Sequence, residues 1–324
     1  VKTENFVSDG SAQKIRPFYS GYYYYSDQPG NKKAANNVIL LRNTDKGHSF
    51  FTTIKLQKTF SGVMKGLYID GAYTFGSAKS VTDGTSSVAT SAWKYRPAID
   101  ANAQELGYSA GSFDGRLLFT ASYSIDWSKN NSTSVGLVFQ RYRPFRYSYT
   151  YNGDANNDTQ SANDLIYIPR TLDEVKNNLD KGSFADQNAA WAALDAFIEQ
   201  DPYLSKHRGE YAERNGAVAP FATQLDFSLN QDFKVYANGK IPHTLRFSFN
   251  IFNFLNLLNK DWGVQQTTVL GNQQYQFLKV TQKPSATNNY VLKYSMDNTL
   301  TKTFQDYIGN DSRWQMQFGI KYFF

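Results

Sequence analysis

The segment SRWQMQFGIKYFF, residues 312–324, decides the fold class because apolar and polar residues alternate along most of it. One set of alternating positions is Trp314, Met316, Phe318, Ile320, Tyr322 and Phe324, and the other is Arg313, Gln315, Gln317, Gly319 and Lys321. Successive side chains of a β-strand point to opposite faces, so this pattern predicts a strand between two different environments. Its apolar face meets either a second sheet or lipid.

The same alternation recurs in six upstream segments. Their apolar positions include Ile54 and Leu56; Leu67, Ile69, Tyr73 and Phe75; Phe119, Tyr123, Ile125 and Trp127; Val135, Leu137 and Phe139; Leu225, Phe227, Leu229 and Phe233; and Leu245, Phe247, Phe249 and Ile251. With the last segment they predict seven antiparallel strands. A further strand is expected near residues 38–42.

Short and long connections alternate between these strands. The short ones are residues 61–64, 128–132 and 237–241, and the long ones are about 77–112, 151–220 and 256–311. Outer-membrane barrels have short turns on one rim and long extracellular loops on the other, whereas a soluble sandwich gives no reason for this order. We therefore expect an all-β fold, an antiparallel transmembrane β-barrel, in residues 48–324. Residues 1–47 are expected to be an extracellular loop or strand extension.

Composition agrees with a transmembrane barrel. The chain has 23 Tyr and 24 Phe, yet its mean hydropathy is −0.54. No segment approaches the roughly 18 apolar residues of a membrane-spanning helix, which excludes a helical membrane protein. The net charge of +6 is too small and dispersed to indicate nucleic-acid binding, and the absence of cysteine excludes disulfides and thiolate metal sites.

The first residues, VKTENFVSDG, lack the features of a secretory signal. An outer-membrane protein must be exported, so we expect that residue 1 is not the native start. The chain is then a fragment or a mature proteolytic piece.

Two helices are expected in the loop before the strand at Leu225. Thr171 and Glu174 form the pattern of a capping box. Residues 186–200, DQNAAWAALDAFIEQ, space Trp191, Leu194, Phe197 and Ile198 along one helical stripe, and Pro202 ends that helix.

Three stretches resemble the carboxy-terminal half of the Oar-like, SusC/RagA-related TonB-dependent receptors of Bacteroidetes. They are residues 43–60 (NTDKGHSFFTTIKLQKTF), residues 152–169 (NGDANNDTQSANDLIYIP) with 199–221, and residues 249–263 (FNIFNFLNLLNKDWG) with the terminal strand. The resemblance implies a barrel of about 22 strands in the bacterial outer membrane, filled by an amino-terminal plug. This chain would supply the last seven or eight strands, and the plug and coupling box would lie upstream of Val1. The implied partners are outer-membrane lipids, the rest of the barrel and its plug, a TonB-type energy-coupling complex and a surface lipoprotein.

One loop resembles the start of an EF-hand calcium loop. Asp154, Asn156 and Asp158 are spaced by two, with Asp164 further on, and alternate oxygen donors suit a hard cation. Thr159 stands where that motif has glycine, and Leu165 where it has a bidentate glutamate. The alternative is a polar loop rich in the turn formers Asn and Asp. No other cofactor is expected.

Aromatic side chains in the loops are candidates for ligand contact because they give a large contact area at little entropic cost. The candidates are Trp93, Tyr95, Tyr147, Tyr149 and Trp262. The alternative is that they belong to aromatic girdles at the membrane interfaces or pack loop on loop.

The end of the chain resembles the assembly signal of outer-membrane barrels, with Gly319, Tyr322 and Phe324 as its main positions. The insertion machinery could pair with the free backbone of such an edge strand, with Gly319 allowing close backbone approach. The alternative is that Phe324 is only the next apolar position of the strand.

The function expected from these features is active import of a scarce solute, with this chain supplying barrel wall and extracellular ligand-binding loops. The alternative is a structural outer-membrane barrel that anchors a surface lipoprotein or adhesion complex. Catalysis is not expected, because His48, His207 and His243 are far apart in sequence and no nucleophile elbow, zinc-protease helix or phosphate loop is present. The solute is not identified by the sequence.

Overall fold

The computed structural model describes residues 41–324 except 85, 113, 159, 238–240, 272–273 and 289–290. Before residue 41 it describes only one short strand pair. The strands are β1 Thr3–Glu4, β2 Phe18–Tyr19, β3 His48–Thr59, β4 Leu67–Ser80, β5 Gly107–Tyr108, β6 Arg116–Ser128, β7 Asn131–Tyr142, β8 Arg146–Asn152, β9 Tyr167–Ile168, β10 Glu210–Tyr211, β11 Ala217–Val218, β12 Ala222–Ala237, β13 Ile241–Phe252, β14 Gln266–Thr268, β15 Gln274–Gln282, β16 Lys293–Met296, β17 Phe304–Asp306 and β18 Gln315–Phe323. The helices are α1 Ala89–Lys94, α2 Leu172–Val175, α3 Gln187–Gln200 and α4 Phe254–Leu258, and 3₁₀ turns occur at Gly62–Met64, Leu204–Lys206, Ala286–Asn288 and Asn310–Ser312.

The described structure is mostly antiparallel β-sheet, and its largest sheet is a half-barrel. The strand order of this main sheet is β18-β13-β12-β7-β6-β4-β3, with β5 paired beside β4. The seven strands occupy the sheet in the order in which they occur along the chain, with the strands of other sheets inserted between some of them, so the main sheet is an up-and-down meander. All seven strands predicted from alternation are confirmed.

Strand register in the main sheet is continuous over long ladders. Between β12 and β13 it runs from Phe227 opposite Ile251 to Ala237 opposite Ile241. Strands β3, β4, β6, β7, β12 and β13 have 12 to 16 residues each. The strands of ordinary globular proteins have about 5–6 residues, so these are unusually long.

The short turns lie at one rim of this sheet. One of them requires glycine: Gly66, after the turn Gly62–Met64, has φ +98°, and a Cβ there would lie 2.1 Å from the carbonyl oxygen of Ser124. Residues 129–130 alone join β6 to β7. The long connections lie at the opposite rim.

A second assembly, which we call the cap, consists of residues 143–221 and 253–314. It contains the sheet β11-β8-β15-β16, in which β8 and β15 are parallel, together with α2, α3 and α4 and the pairs β9–β10 and β14–β17. Among the described residues, every member of the buried hydrophobic cluster belongs to the cap. The chain's dense core is therefore in its long connections, not on the main sheet.

The helix predicted over residues 186–200 is confirmed as α3. The Asp186 carboxylate accepts a hydrogen bond from the Ala189 N–H at 2.8 Å, and the helix ends before Pro202. Leu194, Phe197 and Ile198 are buried, and each such burial contributes about 1.5–3 kcal/mol.

The capping box predicted for α2 is wrong in detail. Thr171 is the N-cap, but its side chain makes no capping hydrogen bond. The Glu174 carboxylate reaches past it to the Arg170 N–H at 2.8 Å and the Tyr167 hydroxyl at 3.1 Å. The Glu174 carboxylate thus binds the Tyr167 hydroxyl and the Arg170 N–H, and not the Thr171 N–H that a capping box requires.

Two predicted boundaries change. Residues 77–80 continue β4, so the first long connection begins later than predicted. Strand β7 ends at Tyr142 and residues 146–152 form β8 of the cap, so the second long connection begins earlier. Of the strand expected near residues 38–42, Leu41 and Arg42 are not in a strand and the rest lies outside the described residues, as does most of the extension over 1–47. No helix within the described segments is long and apolar enough to cross a membrane.

Candidate functional site

One face of the main sheet is apolar and exposed. A single row of paired residues crosses six strands as Leu67, Tyr123, Val135, Leu229, Phe249 and Phe318. Phe119 is 37% exposed, Phe247 41% and Phe318 77%. Exposed apolar surface on this scale marks an interaction surface.

The opposite face is polar and internally hydrogen-bonded. Lys55 pairs with Asp70 at 2.9 Å, and the Arg246 guanidinium donates to both carboxylate oxygens of Asp232 at 2.6 and 2.7 Å. Further cross-strand pairs are Thr53 with Thr74, Gln140 with Gln224, and Asn230 with Ser248. A sheet on a soluble core buries its apolar face and exposes its polar face, and this sheet exposes its apolar one.

The cap core is built from rings contributed by both of its segments. The centroid of the Tyr149 ring lies 5.4 Å from the centroid of the Tyr275 ring and 5.8 Å from that of Phe277. The ring centroid of Phe197, in α3, lies 4.7 Å from that of Phe277. All four side chains are at most 2% exposed. Segments more than 70 residues apart therefore share one aromatic core.

Asp201 anchors this core. Its carboxylate accepts hydrogen bonds from the Tyr149 hydroxyl at 2.5 Å, the Thr303 hydroxyl at 2.7 Å, and the backbone N–H groups of Tyr203 and Leu204 at 2.9 and 2.8 Å. Burial raises the pKa of Tyr149 above its ordinary value, so its phenol remains a donor. One buried carboxylate thus ties the end of α3 to β8 and to residue 303.

The residues 81–115 are tied to the cap by a buried arginine. Arg214 is 4% exposed and donates to the carbonyl oxygens of Val81 at 3.1 Å and Gly107 at 3.3 Å. A Cβ at Gly107 would lie 2.6 Å from the Arg214 Cβ, so the position requires glycine. Local sequence patterns do not indicate Asp201 or Arg214, because the segments that each of them ties together are distant in the chain.

Two of the five aromatic ligand candidates are corrected. Tyr147 and Tyr149 are 1% and 0% exposed, with their hydroxyl oxygens 3.2 Å apart, and they belong to the cap core. Because no ligand outside the protein can reach them, their role is packing. The alternation of Tyr147, Tyr149 and Tyr151 is the sequence signal that could have indicated a strand with one buried face.

The other three candidates lie apart from that core. Trp93 is half-buried in α1 and Tyr95, just after it, is 62% exposed. Trp262 follows α4 and is 53% exposed. The structure does not gather the five into one site, and ligand contact by these three stays a prediction.

The predicted calcium ligands are brought together, and all four are buried. The Asp158 N–H donates to Asp154 Oδ1 at 3.1 Å and to Asn156 Oδ1 at 3.0 Å, and the Ala155 N–H donates to Asp164 Oδ2 at 2.7 Å. These oxygens therefore satisfy the backbone of their own loop.

A calcium site is not found in the part of the loop that the structure describes. Among the described residues no group of three or more Asp, Glu, His or Cys could hold a metal ion. Lys283 Nζ lies 3.1 Å from Asp154 Oδ2 and supplies positive charge there. Burial raises the pKa of Asp158, and hydrogen bonds from Gln160 and Asn163 oppose that shift. The geometry favours the turn-forming alternative.

Of the predicted assembly residues, Gly319 and Tyr322 lie on the edge strand β18, and Phe324 directly follows it. The Tyr322 hydroxyl lies 2.6 Å from His243 Nδ1, and Phe324 is 91% exposed. Close approach does not explain Gly319, because a Cβ there would meet the Ser248 Cβ at an ordinary 3.7 Å. Recognition of this strand stays a prediction.

Comparison with protein-family models, with curated proteins and with solved structures finds no match for the chain.

Proposed function

We propose that this chain forms part of the wall and of the extracellular cap of a bacterial outer-membrane β-barrel. In this proposal the apolar face of the main sheet lies toward lipid and its polar face toward the lumen. The observation that carries the proposal is the exposed apolar face opposite a hydrogen-bonded polar one. A transmembrane strand needs about 9–11 residues, and the long strands of the main sheet exceed that length. Long connections at a single rim agree with extracellular loops.

The edges of the main sheet support membership of a larger barrel. Within the described residues, β3 pairs only with β4, and β18 only with β13. Unpaired strand edges are not tolerated in hydrocarbon. We therefore infer that further strands close this half-barrel.

The resemblance of residues 43–60, 152–169 and 249–263 to Oar-like receptors supports a TonB-dependent transporter. In this proposal the whole barrel imports a scarce solute with energy from the inner membrane, and the cap supplies part of its outer surface. Of the predicted ligand candidates, Trp262 and Tyr95 are exposed and would contact the solute.

The orientation of the wall can be tested by single cysteines, because the chain has none of its own. Ser122→Cys is expected to react with a water-soluble maleimide in isolated outer membranes, and Phe119→Cys is expected to resist it, because a thiol in hydrocarbon does not ionise to the reactive thiolate. Equal labelling of both by a water-soluble maleimide would contradict a lipid-facing sheet.

Transport can be tested without knowing the solute. Cells with and without the protein would be grown in a complex medium, and the solutes removed from it would be compared by mass spectrometry with and without a proton uncoupler. Energy-dependent removal of a solute only by cells with the protein supports import.

Anchoring is the second candidate, and one observation favours it. The interior of the cap is filled by its own aromatic side chains, such as Tyr149 and Tyr275. A cap packed in this way offers a partner protein its outer surface rather than its interior. Unchanged solute removal, together with loss of a surface protein that co-purifies with the barrel, would favour anchoring over import.

A further inference from the structure

An exposed aromatic ring at the long-loop rim contacts two arginines. The guanidinium carbon of Arg143 lies 4.1 Å from the centroid of the Phe221 ring, and that of Arg141 lies 4.6 Å from it. Phe221 is 41% exposed. Stacking on a ring orients a guanidinium group and leaves its N–H donors at the edge available.

This arginine pair borders the apolar face of the main sheet. Arg141 is paired in register with Leu117 and Thr223, on the same face as Phe119 and Phe139. Arg143 and Phe221 lie just beyond the paired residues of β7 and β12. Cationic and apolar surface are therefore adjacent, with the cations at the rim of the long connections.

Positive charge exceeds negative charge at this place. Arg143 and Arg146 both pair with Asp114, and Arg143 also donates to the Ala219 carbonyl at 2.8 Å. Arg141 is exposed and has no carboxylate partner in the described part of the chain. Arg143 and Arg146 thus share one carboxylate, and Arg141 adds a third positive charge without one.

We propose that Arg141 and Arg143 bind the phosphate of an anionic lipid whose acyl chains lie on the adjoining apolar face. The inference rests on the proposed function, because it needs this face in a membrane. Guanidinium groups bind phosphate through paired, charge-assisted hydrogen bonds. Both guanidinium groups contact one ring, so the two positive charges are neighbours at the border of the apolar face. The apolar face beside them favours a lipid headgroup over free phosphate.

The test uses the intact protein in neutral detergent, with phosphatidylglycerol and phosphatidylcholine as probes and native mass spectrometry to count bound lipid. Phosphatidylglycerol is expected to bind in preference to phosphatidylcholine. The double variant Arg141→Gln/Arg143→Gln should bind it at least about tenfold more weakly, because it loses the charge-assisted hydrogen bonds of both guanidinium groups.

The matched control is Arg116→Gln, which removes an exposed arginine of the same rim on the polar face. It should bind phosphatidylglycerol as the unaltered protein does. If the double variant does not fold, the exposed single change Arg141→Gln should still weaken binding, and Arg141→Lys should restore part of it.

Three results would overturn the inference. They are equal binding of the two lipids, an unchanged preference in the double variant, and displacement of phosphatidylglycerol by an equal concentration of inorganic phosphate, which would indicate a free-anion site. Resistance of Phe119→Cys to the water-soluble maleimide, without any anionic-lipid preference, would reject this site alone. Labelling of Phe119→Cys as strong as that of Ser122→Cys would reject the proposed function.

Discussion

At the scale of single residues, the face of the sheet decides what a side chain contributes. Phe119 and Ser122 belong to the same strand, β6, yet Phe119 is on the apolar face and Ser122 is on the polar face beside Gly136 and Tyr68. Lipid does not solvate a charge, whereas a lumen lined by hydrogen-bonding groups does.

Phe119→Arg is therefore expected to lower the yield of folded barrel, because Arg at the bilayer midplane costs about 2–4 kcal/mol. Ser122→Arg is the matched control and should leave the yield nearly unchanged. The measurement is the fraction of heat-modifiable protein in the outer membrane. Equal losses for the two variants would contradict the assignment of faces.

Residue-level patterns predicted the main sheet well and the candidate sites poorly. Alternation depends only on neighbours in sequence, so it identified both faces of β6. Asp201 becomes informative only when Tyr149 and Thr303 are placed beside it, and no local pattern does this. The aromatic residues Tyr147 and Tyr149 look alike in sequence whether they contact a ligand or a core.

At the scale of elements, the cap shows where sequence periodicity fails. Strand β8 pairs with β11 and, in parallel, with β15, and both partners are distant from it in the chain. Helix α3 was predictable because its apolar stripe and Asp186 cap are local features. Pairing among distant short strands is set by packing, which periodicity does not report.

The cap core should make the protein sensitive to alkali. Burial raises the pKa of Tyr147, Tyr149, Tyr203 and Tyr275 above the ordinary value, and burial with nearby Glu174 raises the pKa of Tyr167 to about 12. An unfolded tyrosine ionises near pH 10, so these groups support the folded cap fully below about pH 10. That support is lost as pH rises through the higher folded values.

We expect the cap to unfold cooperatively above about pH 10, with tyrosinate absorbance appearing as the near-ultraviolet circular dichroism is lost. Tyr167→Phe is a useful comparison, because it removes one ionising phenol and should make the pH dependence less steep. Tyrosinate absorbance that develops fully while the dichroism is retained would contradict a core of neutral tyrosines.

At the scale of the whole molecule, the sorting of connections fixes an orientation. The main sheet has its short turns at one rim and its cap at the other, and the two halves of the cap share one core. A membrane barrel with this asymmetry places its long connections outside the cell. The proposed barrel would therefore have one side that a reagent in the medium can reach and one that it cannot.

Two exposed turns offer a matched test of this orientation. Residues 297–299 form an exposed turn in the cap, and Lys129 and Asn130 form the exposed turn between β6 and β7. A protease recognition sequence inserted between Asn298 and Thr299 is expected to be cut when protease is added to intact cells. The same insertion between Lys129 and Asn130 should be cut only after the outer membrane is permeabilised, because the proposed topology places that turn in the periplasm. Both turns are equally open to solvent within the chain, so the membrane is what distinguishes them. Cleavage confined to the turn at Lys129 in intact cells would reverse the topology, and cleavage of both turns in intact cells would mean that no membrane separates the two rims.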